Sequence, residues 1–407
     1  MSQLKPKVLM IGWEYPPHNS GGLGVACQGI TQALAEQNAE IYFTLPYQLK
    51  QSLGHMKVIN CYDKSWGNEN SSLPPFGAYS QSVHQSNDKN LDSHQLRALP
   101  QSDIEQKVEE YAQLVEEKVA DHENEFDLIH AHDWMSFPAA TKLKKKTNKP
   151  FIAHVHSTEK DRIPNGYGSN YIEKTEKEGM EIADQIVAVS YYTKRLLIDY
   201  YQIDPAKIQV IHNGVFPTKY HKNKSDSFAA KRPIVTFMGR LTNQKGVKYF
   251  IKVGRKVLRK IPKALFIVAG SGHLYHELLL QTANQQLTAH VLFSGFVRGV
   301  QKDKLLDRSD VFIMPSLSEP FGLVALEAAQ RQTPVILSKT SGVSEIMTSA
   351  VKVDFWDEDK MAVEVIKFLQ DKGYSQQVVA RQSQELSQAT WSKSAQKLKK
   401  IYSQAFF

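Results

Sequence analysis

Short apolar runs rich in β-branched residues alternate along this chain with longer stretches whose apolar positions recur at helical spacing. This is the pattern of parallel sheets wound with helices on both faces. The first half predicts strands at Val8–Gly12, Ile41–Leu45, Leu128–Ala131, Phe151–Val155, Ile186–Val189 and Gln209–Ile211. A second series follows at Ile234–Met238, Leu265–Ala269, Val291–Ser294, Val311–Met314 and Pro334–Leu337. Between them Phe216 to Arg232 is rich in Lys, Ser and Asn, and Asn213-Gly214 just before it is a turn signal. The expectation is an α/β chain of two doubly wound, Rossmann-like domains facing across a cleft, divided at 214/215. Sheets of this kind bind ligands at the carboxyl ends of their strands, so the loops after strands are where chemistry should sit. One segment breaks the rhythm: His55 to Asp103 has no sustained period and reads as a long insertion, either a functional lid or a mobile loop. After it, Ile104, Val108, Tyr111, Val115 and Val119 fall on one helical face.

Composition narrows the classes. With 407 residues, 42% hydrophobic and 23% charged, the chain can fill two ordinary cores, and whole-chain disorder is excluded. Cys27 and Cys61 are its only cysteines, so neither a disulfide framework nor a cysteine zinc site is expected. The early apolar run Val8 to Trp13 is too short for a membrane span, and a soluble, cytoplasmic protein is expected. The net charge of +8 suits nucleic acid, an anionic surface or a phosphate-bearing ligand equally. No helix-turn-helix or aromatic-basic pattern stands out, so nucleic acid is set aside.

The motifs favour phosphate and sugar. After the strand Val311–Met314 comes Pro315-Ser316-Leu317-Ser318-Glu319-Pro320-Phe321-Gly322-Leu323, then an Ala-rich helix containing Glu327. A helix opening there offers backbone N–H groups and a positive dipole end to an anion. Glu319 and Glu327, eight residues apart, are expected to face one ligand, and carboxylates suit vicinal hydroxyls of a sugar or ribose. The string Gly239-Arg240-Leu241-Thr242-Asn243-Gln244-Lys245-Gly246 also follows a strand, placing two cations where a diphosphate gains charge. Asn19-Ser20-Gly21-Gly22-Leu23-Gly24 fails as a dinucleotide fingerprint, since Cys27 stands where the last small residue belongs, but it can still contact phosphate or sugar. His130/His132 and His154/His156 each share a strand face. A metal there is conceivable, and polar substrate contact without metal is the preferred reading. Asp357-Glu358-Asp359 reads as a helix cap.

Taken together, Gly21-Gly22-Leu23-Gly24, His132-Asp133-Trp134, His156-Ser157-Thr158-Glu159, Asn213-Gly214-Val215, Gly239-Arg240 to Lys245-Gly246, and Glu319 with Glu327 resemble the retaining glycosyltransferases of family 4. The resemblance runs from residue 8 to about 350 and implies the GT-B fold. It implies transfer of a hexose, glucose favoured, from a UDP- or ADP-sugar to a hydroxyl of a carbohydrate or other acceptor, without metal or other cofactor. Arg240 and Lys245 would stabilise the departing diphosphate; Glu319 would hold sugar hydroxyls beside the backbone of Phe321, Gly322 and Leu323. Glu327 would grip the ribose, Val297 and Arg298 would lie by the nucleobase, and Gly22 and Gly239 would admit the donor closely. His156 would stand at the reacting face, and His132, Asp133 and Trp134 on the acceptor side. The last helix, about 391–407, is expected to pack back on the N-terminal domain, leaving contact of its apolar face or of Lys142 to Lys149 with anionic lipid as the lesser alternative. The N-terminal string is also similar to glycogen and starch synthases, except that Asn19 stands where they carry lysine. A nucleotide-sugar 2-epimerase of the same fold and a non-catalytic nucleotide-sugar-binding protein are the competing readings.

Overall fold

The computed structural model describes residues 5–19, 21–49, 52–62, 101–217 and 232–405. Most of the predicted insertion and most of the connector after Phe216 lie outside the described residues. The chain forms two compact units: Met1–Gly214 with Trp391–Phe407, and Val215–Thr390.

The first unit is built on a parallel sheet of β1 (Lys7–Ile11), β2 (Glu40–Leu45), β3 (Lys57–Asn60), β4 (Leu128–His132), β5 (Phe151–Val155), β6 (Gln185–Ala188) and β7 (Ile208–Val210). Their order is β3-β2-β1-β4-β5-β6-β7. The central strands are buried on both faces, which is why they read as unbroken apolar runs. β3 corrects the expected start of the insertion. It pairs in parallel with β2, Tyr42 opposite Lys57 and Leu45 opposite Asn60, but as an edge strand it half-buries only Val58 and Ile59 and so leaves almost no hydrophobic signal. Val108, Tyr111, Val115 and Val119 of the helix Gln101–Val119 are buried in the core as their spacing predicts. The basic run is largely occupied: Lys142 pairs with Glu109 and Lys146 with Glu123, both at 2.8 Å, while Lys144 pairs with Asp184.

The helix Trp391–Gln404 belongs to this unit. Trp391 packs so tightly on Gly29 that a Cβ there would lie 2.1 Å from the indole, and Leu398, Ile401 and Tyr402 are buried. Lys399 donates at 2.8 Å to the carbonyl of Gln37, the residue that caps the C-terminus of the helix Gly22–Glu36.

The second unit carries β8 (Ile234–Met238), β9 (Leu265–Ala269), β10 (Val291–Gly295), β11 (Val311–Met314), β12 (Val335–Ser338) and β13 (Val351–Val353), all parallel. Their order is β10-β9-β8-β11-β12-β13. β13 was not predicted, because a three-residue edge strand with Lys352 at its centre has no period to read. The helix Val247–Leu258 covers the sheet with Phe250, Ile251, Val253 and Val257, each buried side chain of this size contributing about 1.5–3 kcal/mol. Asp357 caps the helix Glu358–Gln370, its Oδ1 accepting from the Lys360 N–H at 3.0 Å.

Candidate active site

In the second unit the chain leaves β8 toward one edge of the sheet and β11 toward the other, so the loops after these neighbouring strands flank a topological switch point. The two loops are locked together by backbone. The Leu317 N–H donates to the Gln244 carbonyl at 2.8 Å. Gly246, at φ +67°, turns the chain into the helix Val247–Leu258, and a Cβ there would sit 1.9 Å from the Pro315 carbonyl oxygen. Only glycine fits both the left-handed conformation and that approach.

This lock brings Lys245 Nζ to 2.7 Å from Glu319 Oε2, with side-chain exposures of 18% and 8%. Ser316 Oγ donates to the same carboxylate oxygen at 3.2 Å. The Glu319 backbone is held as well, its N–H donating to Thr340 at 3.0 Å and its carbonyl accepting from Gly342 at 2.8 Å. Gly322, at φ +108°, then opens the helix Leu323–Gln330, and buried Phe321 accepts from the Val343 N–H at 2.7 Å. The first amides of that helix have no helical acceptor and present its positive end to the switch point. On the neighbouring loop Gly239 donates to Ala269 at 3.0 Å, and Arg240 Nη2 reaches Gln244 Oε1 at 3.3 Å. Exposed Arg298 precedes the helix Gly299–Arg308, and half-buried Val297 precedes Arg298.

Glu319 and Glu327 do not share a partner. Glu327 Oε1 is 2.6 Å from Lys302 Nζ, on the helix Gly299–Arg308. Nothing in the sequence singled out Lys302, whose relation to Glu327 is set by the packing of two helices.

The first unit has its own switch point, between β1 and β4. Gly22 is the first residue of the helix Gly22–Glu36, Gly21 its cap, and the Asn19 amide donates to the Gly21 carbonyl at 3.1 Å. At the carboxyl ends of β4 and β5 the four histidines form a square of imidazoles. His130 and His154 share a hydrogen bond of 3.1 Å across the strands, His132 and His156 one of 3.0 Å. Along the chain His154 and His156 stack with ring centroids 4.2 Å apart, while His130 and His132 lie 4.5 Å apart with their rings tilted by 30°. Tyr402 reaches His130 Nδ1 at 2.7 Å. Burial holds His132 down at about 3. Burial, then the neighbouring imidazoles, keeps His130, His154 and His156 well below the usual histidine range. All four are neutral at physiological pH. His130, His132 and His154 could present three nitrogens within 4.8 Å of one another to a metal, though both nitrogens of His130 are engaged by Tyr402 and His154.

The residues expected on the acceptor side lie beneath the surface: His132, Asp133 and Trp134 are 0–2% exposed. Asp133, at φ +60°, turns its Oδ1 onto the backbone N–H of His156 at 2.6 Å and of Ser157 at 3.3 Å. Trp134 packs edge-on against Tyr171. Just beyond His156, a buried network that the sequence did not reveal braces the chain. Arg162 bridges Glu159 and Glu176, both at 2.8 Å, and Tyr201 donates to Glu176. Burial outweighs the pull of Arg162 and raises Glu176 to about 8.

Comparison with known proteins agrees with this architecture. Residues 220–385 match the model for glycosyl transferases group 1, and residues 98–219 that for glycosyltransferase family 4. An uncharacterized glycosyltransferase of Methanocaldococcus jannaschii is 28% identical, covering 97% of both chains. Glycogen synthase of Mycobacterium tuberculosis is 26% identical over 83% of this chain and 79% of its own. Among solved structures, Anabaena HepE in complex with UDP and glucose superposes with a TM-score of 0.72 at 17% identity, covering 98% of this chain and 100% of that one. Two parallel Rossmann-like sheets, and sequence matches that span both units, place this chain among the family 4 glycosyltransferases of GT-B fold.

Proposed function

We propose that the protein transfers a hexose, glucose first among candidates, from UDP- or ADP-sugar to an acceptor hydroxyl, with retention at the anomeric carbon and without a metal. The observation that carries this reading is the Lys245–Glu319 pair at the switch point, 2.7 Å apart beside a helix N-terminus. Lys245 and Arg240, with the amides of Gly322 and Leu323, receive the diphosphate. As the bond from the anomeric carbon to the phosphate oxygen breaks, charge grows on that oxygen, and cations already in place stabilise it without reorganisation. Glu319 accepts hydrogen bonds from sugar hydroxyls, Glu327 from the ribose, and Val297 and Arg298 flank the base. On the same face, the acceptor hydroxyl gives its proton to the leaving phosphate oxygen as its own oxygen bonds to carbon.

His156 is assigned to the reacting face as a neutral imidazole, which donates or accepts a hydrogen bond without adding charge. His132 and Asp133 hold it from behind, through its ring and its backbone. UDP and glucose in the Anabaena structure, and the glycogen synthase relative, favour a glucosyl donor.

The test is a hydrolysis and thermal-shift panel of UDP-, ADP- and GDP-hexoses with chelator present. Stabilisation by one donor, with slow release of its nucleoside diphosphate, is expected. A donor turned into its epimer without transfer would show an epimerase, and binding without any turnover a non-catalytic protein.

A further inference from the structure

We infer that Lys302 is a positioning residue for recognition of the donor ribose, acting through Glu327; this rests on the donor-site reading above. Lys302 Nζ lies 2.6 Å from Glu327 Oε1, and the two side chains are 23% and 20% exposed. The pair joins the helix Gly299–Arg308, which follows Val297 and Arg298, to the helix Leu323–Gln330, which follows the Glu319 loop. Glu327 has three side-chain torsions and is half-buried, so without a partner its carboxylate samples several rotamers. The ammonium removes that freedom on one oxygen. The other oxygen is left to accept from the vicinal hydroxyls of a ribose, and charged acceptors make the stronger hydrogen bonds.

A lysine serves this purpose because its charge attracts the carboxylate while its three donors leave it room to follow. At 20–23% exposure the pair is too open to be a large term in stability. The consequence is a division of labour along one surface. Lys245 faces Glu319 where the diphosphate and sugar are expected, and Lys302 faces Glu327 where the ribose is expected.

The experiment measures binding of UDP, ADP and GDP and of their 2′-deoxy counterparts to the full chain, by calorimetry, for the wild type, Lys302→Met, Lys302→Arg and Glu327→Ala. The wild type should bind its preferred ribonucleotide about tenfold more tightly than the deoxy form, the value of one charge-assisted hydrogen bond. Lys302→Met should reduce that preference to about threefold or less, Glu327→Ala should abolish it, and Lys302→Arg should restore most of it. A merely structural role for Lys302 would weaken both nucleotides equally and keep their ratio. Lys302→Met with an unchanged ratio therefore overturns the inference while leaving the donor site standing. A wild type that binds none of the nucleotides overturns the donor site itself, and the role of Lys302 with it.

Discussion

Replacing Lys245 by methionine keeps the aliphatic stem and deletes the charge, leaving Glu319 with Ser316 Oγ as its remaining side-chain donor. Breaking a fully buried pair costs about 3–5 kcal/mol, because the surviving charge is stranded in a poor solvent. Glu319 is 8% exposed, which meets that condition, but Lys245 keeps 18% exposure, so water can partly replace it. An expected loss of about 2–3 kcal/mol follows after that discount. Glu319→Gln retains the hydrogen bond from Ser316 and removes the charge, so the double variant strands nothing and should lie within about 1 kcal/mol of Glu319→Gln alone. The cycle then gives a coupling of about 1–3 kcal/mol. Hydrogen exchange in a urea series, read on peptides from the helices Val247–Leu258 and Leu323–Gln330, reports the opening free energy of this unit in the intact chain. In the same preparations kcat for Lys245→Met should fall about 10²–10³-fold. A coupling within about 0.3 kcal/mol of zero would show that the two side chains do not depend on each other, and the reasoning would be wrong.

Other outcomes follow from the same geometry. The four central histidines stay neutral in the folded first unit and take protons in the unfolded chain below about pH 6.5, so their contribution is intact above that pH and is lost as pH falls. Between pH 7 and 5.5 His132, held at about 3, should alone cost the first unit about 1 kcal/mol, the other three acting in the same direction; this is seen as earlier urea unfolding of its peptides, and a flat profile would refute their neutrality. Gly246→Ala puts a methyl onto the Pro315 carbonyl at a positive φ; at least about 2 kcal/mol of stability should go, with donor binding weakened, and wild-type thermal shifts with UDP- and ADP-glucose would contradict it. Arg162→Met removes the donor that joins Glu159 to Glu176; Glu176, already raised to about 8 by burial, then stays protonated at neutral pH and Glu159 loses its buried cation, so the first unit should be destabilised by about 3 kcal/mol in urea, with Arg162→Lys recovering part.

The sequence was most legible where burial is complete. β1, β5, β8 and β11 are buried on both faces and appear as largely apolar runs within a residue of their observed ends, whereas β3 and β13 lie at sheet edges, where a half-covered strand needs few apolar residues. The loops after β8 and β11 stood out because each sets glycine and charged residues directly after a buried strand, Gly239, Arg240, Lys245 and Gly246 in one and Glu319 and Gly322 in the other. Lys302 escaped notice because an exposed-looking lysine on a helix becomes specific only when another helix carries a carboxylate to it. The histidines were visible as pairs along each strand, but their bonding runs across strands and depends on the register that sets His132 opposite His154. Asp133 illustrates the same limit, since its sequence neighbourhood suggests a ligand-facing acid while the turn at φ +60° aims it at the backbone of His156.

The central claim is that the loops after β8 and β11 receive a nucleoside diphosphate sugar. Hydrogen exchange of the chelator-treated protein, with and without UDP-glucose and ADP-glucose, tests it most directly. The account predicts that one of the two donors slows exchange in peptides covering Gly239–Gly246 and Glu319–Glu327, and that Glu319→Ala removes that protection. Protection confined to other segments, or the same protection in Glu319→Ala, would contradict it.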